Sequence, residues 1–290
     1  MHSPRSRRHR LLTIVLLGAA ALVGTMLAGG VWSALLIANL TTSPAIPWAV
    51  IAMGLILWLT WKYLNGRWAP RSTSEWRRRC LRANPVSGPV FAWALVAGLL
   101  SIAALTGLWI VLFQLGTMPG NALPNFSNHP WLTVALALGM ASLVASVAEE
   151  VGFRGYFQGT VEREVGGPSA IVIAALVIAP GHALTHGFVW ATFLFYICVD
   201  VMFGVTARLT DSIKPGIVVH FIGILIFFTL VWPNDATRPL GGTIRSDPWF
   251  WIHAAQTGIC GVLACLAFHH LAKITGRLRA DKRSSEPLPL

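Results

Sequence analysis

Long apolar runs separated by short polar segments make up most of this chain. A transmembrane α-helix needs about 20 consecutive apolar residues to cross the hydrocarbon core of a bilayer. Applied along the sequence, that length predicts eight spans: 11–37, 45–63, 89–115, 131–150, 168–186, 188–207, 214–232 and 249–272. The pattern therefore predicts an all-α, polytopic membrane helix bundle with about eight transmembrane spans.

Composition supports the same fold class. Of the 290 residues, 55% are hydrophobic and only 11% are charged, whereas a soluble domain carries about 25% charged residues. The net charge of +11 lies mainly in clusters between the apolar runs and does not form one basic face, so nucleic acid is not an expected partner. The four cysteines form no CxxC pair and are interpreted as small apolar residues.

The basic clusters predict how the chain is oriented. They occur in alternate connections: the N-terminus, the 64–88 loop and the C-terminal tail carry most of the Arg and Lys residues. Since positive residues favour the cytoplasmic side, we expect a multi-pass protein of the cell membrane with both termini in the cytoplasm. The apolar run from Leu11 to about Leu36 is longer than a signal-peptide core, which predicts an uncleaved signal anchor.

The 64–88 loop divides the predicted spans into two groups. Residues 1–88 form an N-terminal two-span region with a basic cytoplasmic N-terminus and loop, residues 89–273 form a six-span bundle, and residues 274–290 form a polar cytoplasmic tail. No internal repeat is visible. Because many secondary transporters are built from repeats, a transporter ranks third among the functions considered.

Two glutamates and an arginine lie at the end of the fourth predicted span. Ionisable residues in a membrane segment are costly, and they are a functional-site hypothesis by default. Arg154 follows Glu150 by four residues and therefore shares its helical face, whereas Glu149 points elsewhere. This asymmetry predicts that Glu150 has a structural partner and that Glu149 is available for chemistry.

Further polar residues occur in the later spans: His182, His186, Asp200 and His220. The rise of about 1.5 Å per helical residue places His220 at the depth of the glutamates and ranks His182 above His186. His186 is expected to be a turn or interfacial residue or, alternatively, a supporting site residue, and Asp200 is either a buried hydrogen-bonding partner or a supporting site residue.

Carboxylates and histidines from three spans are a plausible hydrolytic set. A glutamate can act as general base towards water, and histidines can hold a metal that acidifies the water or stabilise an oxyanion. The H-E-x-x-H signature of zinc proteases is absent from the sequence.

The first of these motifs resembles a known family. Glu149-Glu150-x-x-x-Arg154, which continues as Gly155-Tyr156, is similar to the first motif of the CPBP family. That family comprises intramembrane proteases of the CAAX prenyl endopeptidase-like and bacteriocin-processing types, and it is also called the Abi family.

Two further motifs of that family have counterparts in the same order. The family's Phe-x-x-x-His resembles Ile178 to His182, or alternatively His182 to His186. The segment 210–220, which ends at His220, is similar to the third motif. The resemblance covers roughly residues 140–224.

The resemblance implies an intramembrane endopeptidase that acts near the cytoplasmic leaflet. Glu149 would activate water, His182 and His220 would complete the site, and Glu150 and Arg154 would support its geometry. The motifs leave open whether a divalent metal such as zinc is bound by His182 and His220. The implied partners are membrane lipids and a membrane-associated peptide or protein substrate.

One position departs from the family pattern. Ile224 stands four residues after His220, where the family has Asn or Asp, and Asp200 is a candidate substitute. The alternative function is therefore a catalytically weakened relative that serves as a membrane scaffold or immunity protein.

Overall fold

The computed structural model describes residues 7–116, 126–186, 188–240 and 247–285. Within those ranges the chain is helical and contains no strand, apart from one isolated bridge between Ala83 and Ser212. The helices, in chain order, are α1 (Arg7–Thr42), α2 (Trp48–Leu64), α3 (Ser74–Leu81), α4 (Gly88–Gln114), α5 (Trp131–Glu149), α6 (Gly159–Val165), α7 (Gly167–His186), α8 (Trp190–Thr210), α9 (Lys214–Ile226) and α10 (Pro248–Ser285).

The apolar helices agree with the predicted spans, and the all-α membrane bundle is confirmed. Six described helical segments are long and apolar enough to cross a membrane: Leu12–Thr42, Gly88–Gln114, Trp131–Val165, Trp190–Thr210, Lys214–Asp235 and Pro248–Leu278. Two shorter apolar helices, Trp48–Leu64 and Gly167–His182, account for the other two predicted spans.

The fourth span continues beyond its predicted end at residue 150. A π-helical segment, Glu150–Gln158, joins α5 to α6, so that helical structure runs without a break from Trp131 to Val165. Polar residues at 149, 150 and 154 suggested an end of the span. Because these side chains find partners inside the bundle, the helix does not have to end there.

Small residues allow the helices of the bundle to approach closely. In a membrane, lipid is as apolar as the helices, so that packing at small residues drives their association. A Cβ added to Gly107 of α4 would lie 2.7 Å from the carbonyl oxygen of His253 in α10, and one added to Gly98 would overlap Val219 of α9. These glycines position α4 against α9 and α10.

The loop between α2 and α4 is anchored by two buried arginines. Arg77 is 2% exposed and donates to the carbonyl oxygens of Trp68 at 2.7 Å and Pro70 at 2.8 Å. The carbonyl of Arg82 accepts a hydrogen bond from the backbone N–H of Ile213 at 3.1 Å. Two of the arginines that predicted orientation therefore also have structural roles.

Candidate active site

The first motif lies where α5 passes into the π-helical segment. Single π-helical turns are rare and occur frequently at functional sites. Glycines within the segment let neighbouring helices approach: a Cβ on Gly155 would lie 2.9 Å from the carbonyl oxygen of Leu81, and one on Gly152 would lie 3.5 Å from the Cβ of Ala21. Contacts with α1 and α3 thus hold the segment that carries the motif.

The structure brings Glu149 together with two of the predicted histidines. Its Oε2 atom lies 3.6 Å from Nε2 of His220 and 3.9 Å from Nε2 of His182. The three residues come from α5, α7 and α9. Since direct N–H···O hydrogen bonds measure about 2.7–3.2 Å, this spacing suits groups that share one bridging water.

Glu150 occupies a different environment from its neighbour. It is fully buried, and its Oε1 atom lies 3.3 Å from Nδ1 of His220. A Cβ on Gly216 would collide with the Glu150 carboxylate, so the absence of a side chain at Gly216 makes room for it. His220 is therefore set between the two glutamates, with one ring nitrogen towards each.

Arg154 contacts Glu150, as the sequence predicted, and lies closer still to Asp200. Nη2 of Arg154 lies 2.6 Å from Oδ1 of Asp200, whereas its Nε atom is 3.7 Å from Oε1 of Glu150. The contact with Glu150 is the predicted i, i+4 pair, and it forms within the π-helical segment. Asp200 is therefore a partner of Arg154, and both side chains are 1% exposed.

Aromatic residues of α8 hold both histidine rings. His182 stacks on Tyr196 with ring centroids 3.9 Å apart and planes 7° apart, and His220 stacks on Phe203 at 4.3 Å and 24°. Sequence reasoning missed Tyr196, Phe203 and Gly216. Apolar residues of a span give no signal that distinguishes a ring support from ordinary packing.

Glu149, His182 and His220 contribute to the wall of an apolar cavity of about 520 Å³. The first helix contributes to this wall through Leu22, Thr25 and Met26, and Ile178 and Ile224 also line it. The two isoleucines stand where the resemblance has Phe and a polar Asn or Asp. Asp200 is not among the lining residues, so it does not supply the missing polar group directly.

Two predictions concern a supporting histidine and a metal. The side chain of His186 lies outside the described part of the structure. Among the described residues, no group of three or more His, Cys, Asp and Glu side chains is arranged to hold a metal ion. The predicted divalent metal at His182 and His220 stays a prediction.

Comparison with known proteins agrees with the motifs. Residues 130–226 match the sequence model of the family described as type II CAAX prenyl endopeptidase, Rce1-like. That segment contains all three motifs, and the resemblance noted from them is confirmed. No curated protein and no solved structure matches the chain.

Proposed function

We propose that this protein is an intramembrane endopeptidase in which Glu149 activates a water molecule. One observation carries the proposal: Oε2 of Glu149 faces Nε2 of both His182 and His220 at 3.9 and 3.6 Å, on the wall of an apolar cavity. The family match supports an endopeptidase of this type.

The geometry suits general-base hydrolysis. In the proposed tautomer, the Nδ1–H group of His220 donates a hydrogen bond to Glu150. Nε2 of His220 then carries no proton and accepts a hydrogen bond from the water, which orients it. Glu149 takes a proton as the water oxygen attacks the peptide carbonyl carbon. His182 is placed to donate to the developing oxyanion. Glu149 then gives its proton to the leaving nitrogen as the C–N bond breaks.

Three further side chains position these groups. Glu150 fixes His220, while Arg154 joins Glu150 to Asp200. Catalytic groups misplaced by about 1 Å lose on the order of 100-fold in rate. We infer that the buried side chains of Glu150, Arg154 and Asp200 hold the reacting groups in the positions that hydrolysis needs.

The cavity suggests the class of substrate. Its wall is mainly apolar apart from the reacting groups, which suits an apolar stretch of a membrane-associated peptide or protein. Positive-inside orientation would place the reaction near the cytoplasmic leaflet.

The proposal can be tested by comparing the N-termini of membrane proteins. Cells that express the wild type, Glu149→Gln or Glu75→Gln at equal levels would be compared by mass spectrometry. The surface residue Glu75 provides the matched control. We expect new N-termini with the wild type and with Glu75→Gln, but not with Glu149→Gln. Identical N-termini in all three, with the proteins folded, would contradict proteolysis.

The second candidate is a membrane scaffold or immunity protein. It is favoured by Ile224, an apolar side chain in the cavity wall where the resemblance predicts Asn or Asp. If the chain is a weakened protease, Ile224→Asn should raise its cleavage rate, because it restores a polar group near the water. An unchanged absence of cleavage in Ile224→Asn would favour the scaffold.

A further inference from the structure

The first helix, α1, forms one wall of the proposed active-site cavity. Leu22, Thr25 and Met26 all line it. Thr25 and Met26 follow Leu22 by three and four residues, so that the three side chains share one face of the helix. α1 lies outside residues 130–226, which match the endopeptidase family. This wall therefore belongs to a part of the chain to which neither the motifs nor the family match assigns a role.

Leu22 brings this wall close to the reacting groups. One turn earlier on the same face, a Cβ added to Gly18 would lie 3.1 Å from Cγ1 of Val177 in α7. A Cβ added to Gly181, the residue before His182, would lie 3.0 Å from Cδ2 of Leu22. Because α1 and α7 approach closely here, Leu22 takes up space on the side of the cavity that holds His182.

Further along the same face, α1 is packed less closely. A Cβ added to Gly29, seven residues after Leu22, would meet nothing within 4 Å. Met26 lies between these two positions and is 62% exposed, although it also lines the cavity. Phe188, just before α8, combines the same two properties and is 64% exposed. Residues that line a cavity and are mainly exposed lie at its mouth, so Met26 and Phe188 mark an opening.

The wall that α1 contributes is apolar in character. Thr25 is the one polar residue of the three, and its hydroxyl donates to the carbonyl oxygen of Ala21 at 2.9 Å, within its own helix. In a membrane such a wall gains little from hydrophobicity alone, because lipid is equally apolar. It can select by size, since an apolar pocket distinguishes side chains by about 10- to 200-fold for each methylene group.

We infer that α1 sets the substrate specificity of the proposed hydrolysis. Leu22 limits the size of the apolar side chain that is accepted next to the cleaved bond, and Met26 lies at the entrance through which that side chain passes. The inference rests on the proposed function and adds to it the selection of substrates by the size of one apolar residue.

Leu22→Ala and Val23→Ala are a matched pair of variants for the size limit. Both shorten an apolar side chain of α1, but Val23 is 55% exposed and is not part of the cavity wall. A peptide that the wild type cleaves would be prepared with Leu or with Trp at each residue that flanks the cleaved bond. Leu22→Ala should raise the ratio of kcat/KM for the Trp peptide to that for the Leu peptide at least about tenfold at one of these residues. Val23→Ala should leave the ratio at its wild-type value.

This ratio compares two substrates of the same protein, so it does not depend on how much of a variant is folded. Met26→Trp and Leu27→Trp form a second pair, for the entrance. The two residues are 62% and 64% exposed, but only Met26 lines the cavity. Met26→Trp should lower kcat/KM for the Trp peptide at least about tenfold by narrowing the mouth, whereas Leu27→Trp should leave it unchanged.

The outcomes separate this inference from the proposed function. If the wild type cleaves the peptides, an unchanged ratio in Leu22→Ala would overturn the inference, and so would equal kcat/KM values in Met26→Trp and Leu27→Trp. Either result would leave the proposed function intact. A wild type that cleaves no membrane peptide would overturn the proposed function and the inference together.

Discussion

The buried contact between Arg154 and Asp200 gives a stability prediction that sequence alone would not give. Asp200→Ala removes the carboxylate that lies 2.6 Å from Nη2 of Arg154, where both side chains are 1% exposed. Arg154 then keeps the Glu150 carboxylate, at 3.7 Å, and the backbone carbonyl of residue 200, at 3.4 Å. Removing one partner of a buried pair costs about 3–5 kcal/mol, because the other charge stays buried.

The remaining contact with Glu150 argues for the lower end of that range. A loss of about 3 kcal/mol lowers the melting temperature of a chain of this size by about 5 °C, because the entropy of unfolding is about 2 cal/mol/K per residue. Thermal unfolding in detergent, followed by tryptophan fluorescence, would measure it. Glu75→Ala is the matched control: it removes an ion pair with Arg79 of similar length, 2.9 Å, on the exposed surface, and exposed pairs contribute little.

We expect a large fall in the melting temperature of Asp200→Ala and no measurable change in that of Glu75→Ala. Equal melting temperatures for wild type and Asp200→Ala would show that the buried ion pair does not stabilise the fold. Such a result would also remove the reason for assigning Asp200 a positioning role at the active site.

Three other results are expected. Gly216→Ala should lower the cleavage rate on the order of 100-fold by displacing the Glu150 carboxylate. Gly258→Ala is the control and should not change the rate, because an added Cβ there meets nothing within 4 Å. Equal cleavage rates in the two variants would contradict the close contact between Gly216 and Glu150. An impermeant thiol reagent should label Ser72→Cys in inverted vesicles but not in intact cells, and labelling from outside would reverse the orientation. Cys80 is unsuitable for that assay, because it is 4% exposed and burial raises the pKa of its thiol, which keeps the reactive thiolate scarce. Dialysis against a chelator should leave cleavage unchanged, and loss with recovery on adding zinc would establish a metal.

Span positions and the polar residues of the site were accessible from sequence, because both leave a local signal. An apolar run of about 20 residues reports a helix directly, and an ionisable residue within it stands out, as Glu149 and His220 do. Depth along the helix predicted that His182 can reach Glu149, whereas its ranking above His186 stays a prediction, because the side chain of His186 lies outside the described part of the structure. The structure places Nε2 of His182 and of His220 within 3.6–3.9 Å of Oε2 of Glu149.

The partners of those residues were not accessible in the same way. The pairing of Arg154 with Asp200 depends on the π-helical turn that carries Arg154 and on which face of α8 points towards it. Neither feature produces a periodic pattern in the sequence. The support of His182 by Tyr196 involves an aromatic residue that resembles any other in an apolar run. Tertiary packing decides both contacts, and local patterns do not report it.

The cleavage rate of Glu149→Gln decides whether Glu149 is the general base. The substitution keeps the size of the side chain but removes its proton acceptor. The assay uses a peptide that the wild type cleaves in proteoliposomes. We expect Glu149→Gln to lower kcat by about 100- to 10,000-fold and to leave the melting temperature unchanged. A folded Glu149→Gln protein that cleaves this peptide at the wild-type rate would show that Glu149 is not the general base.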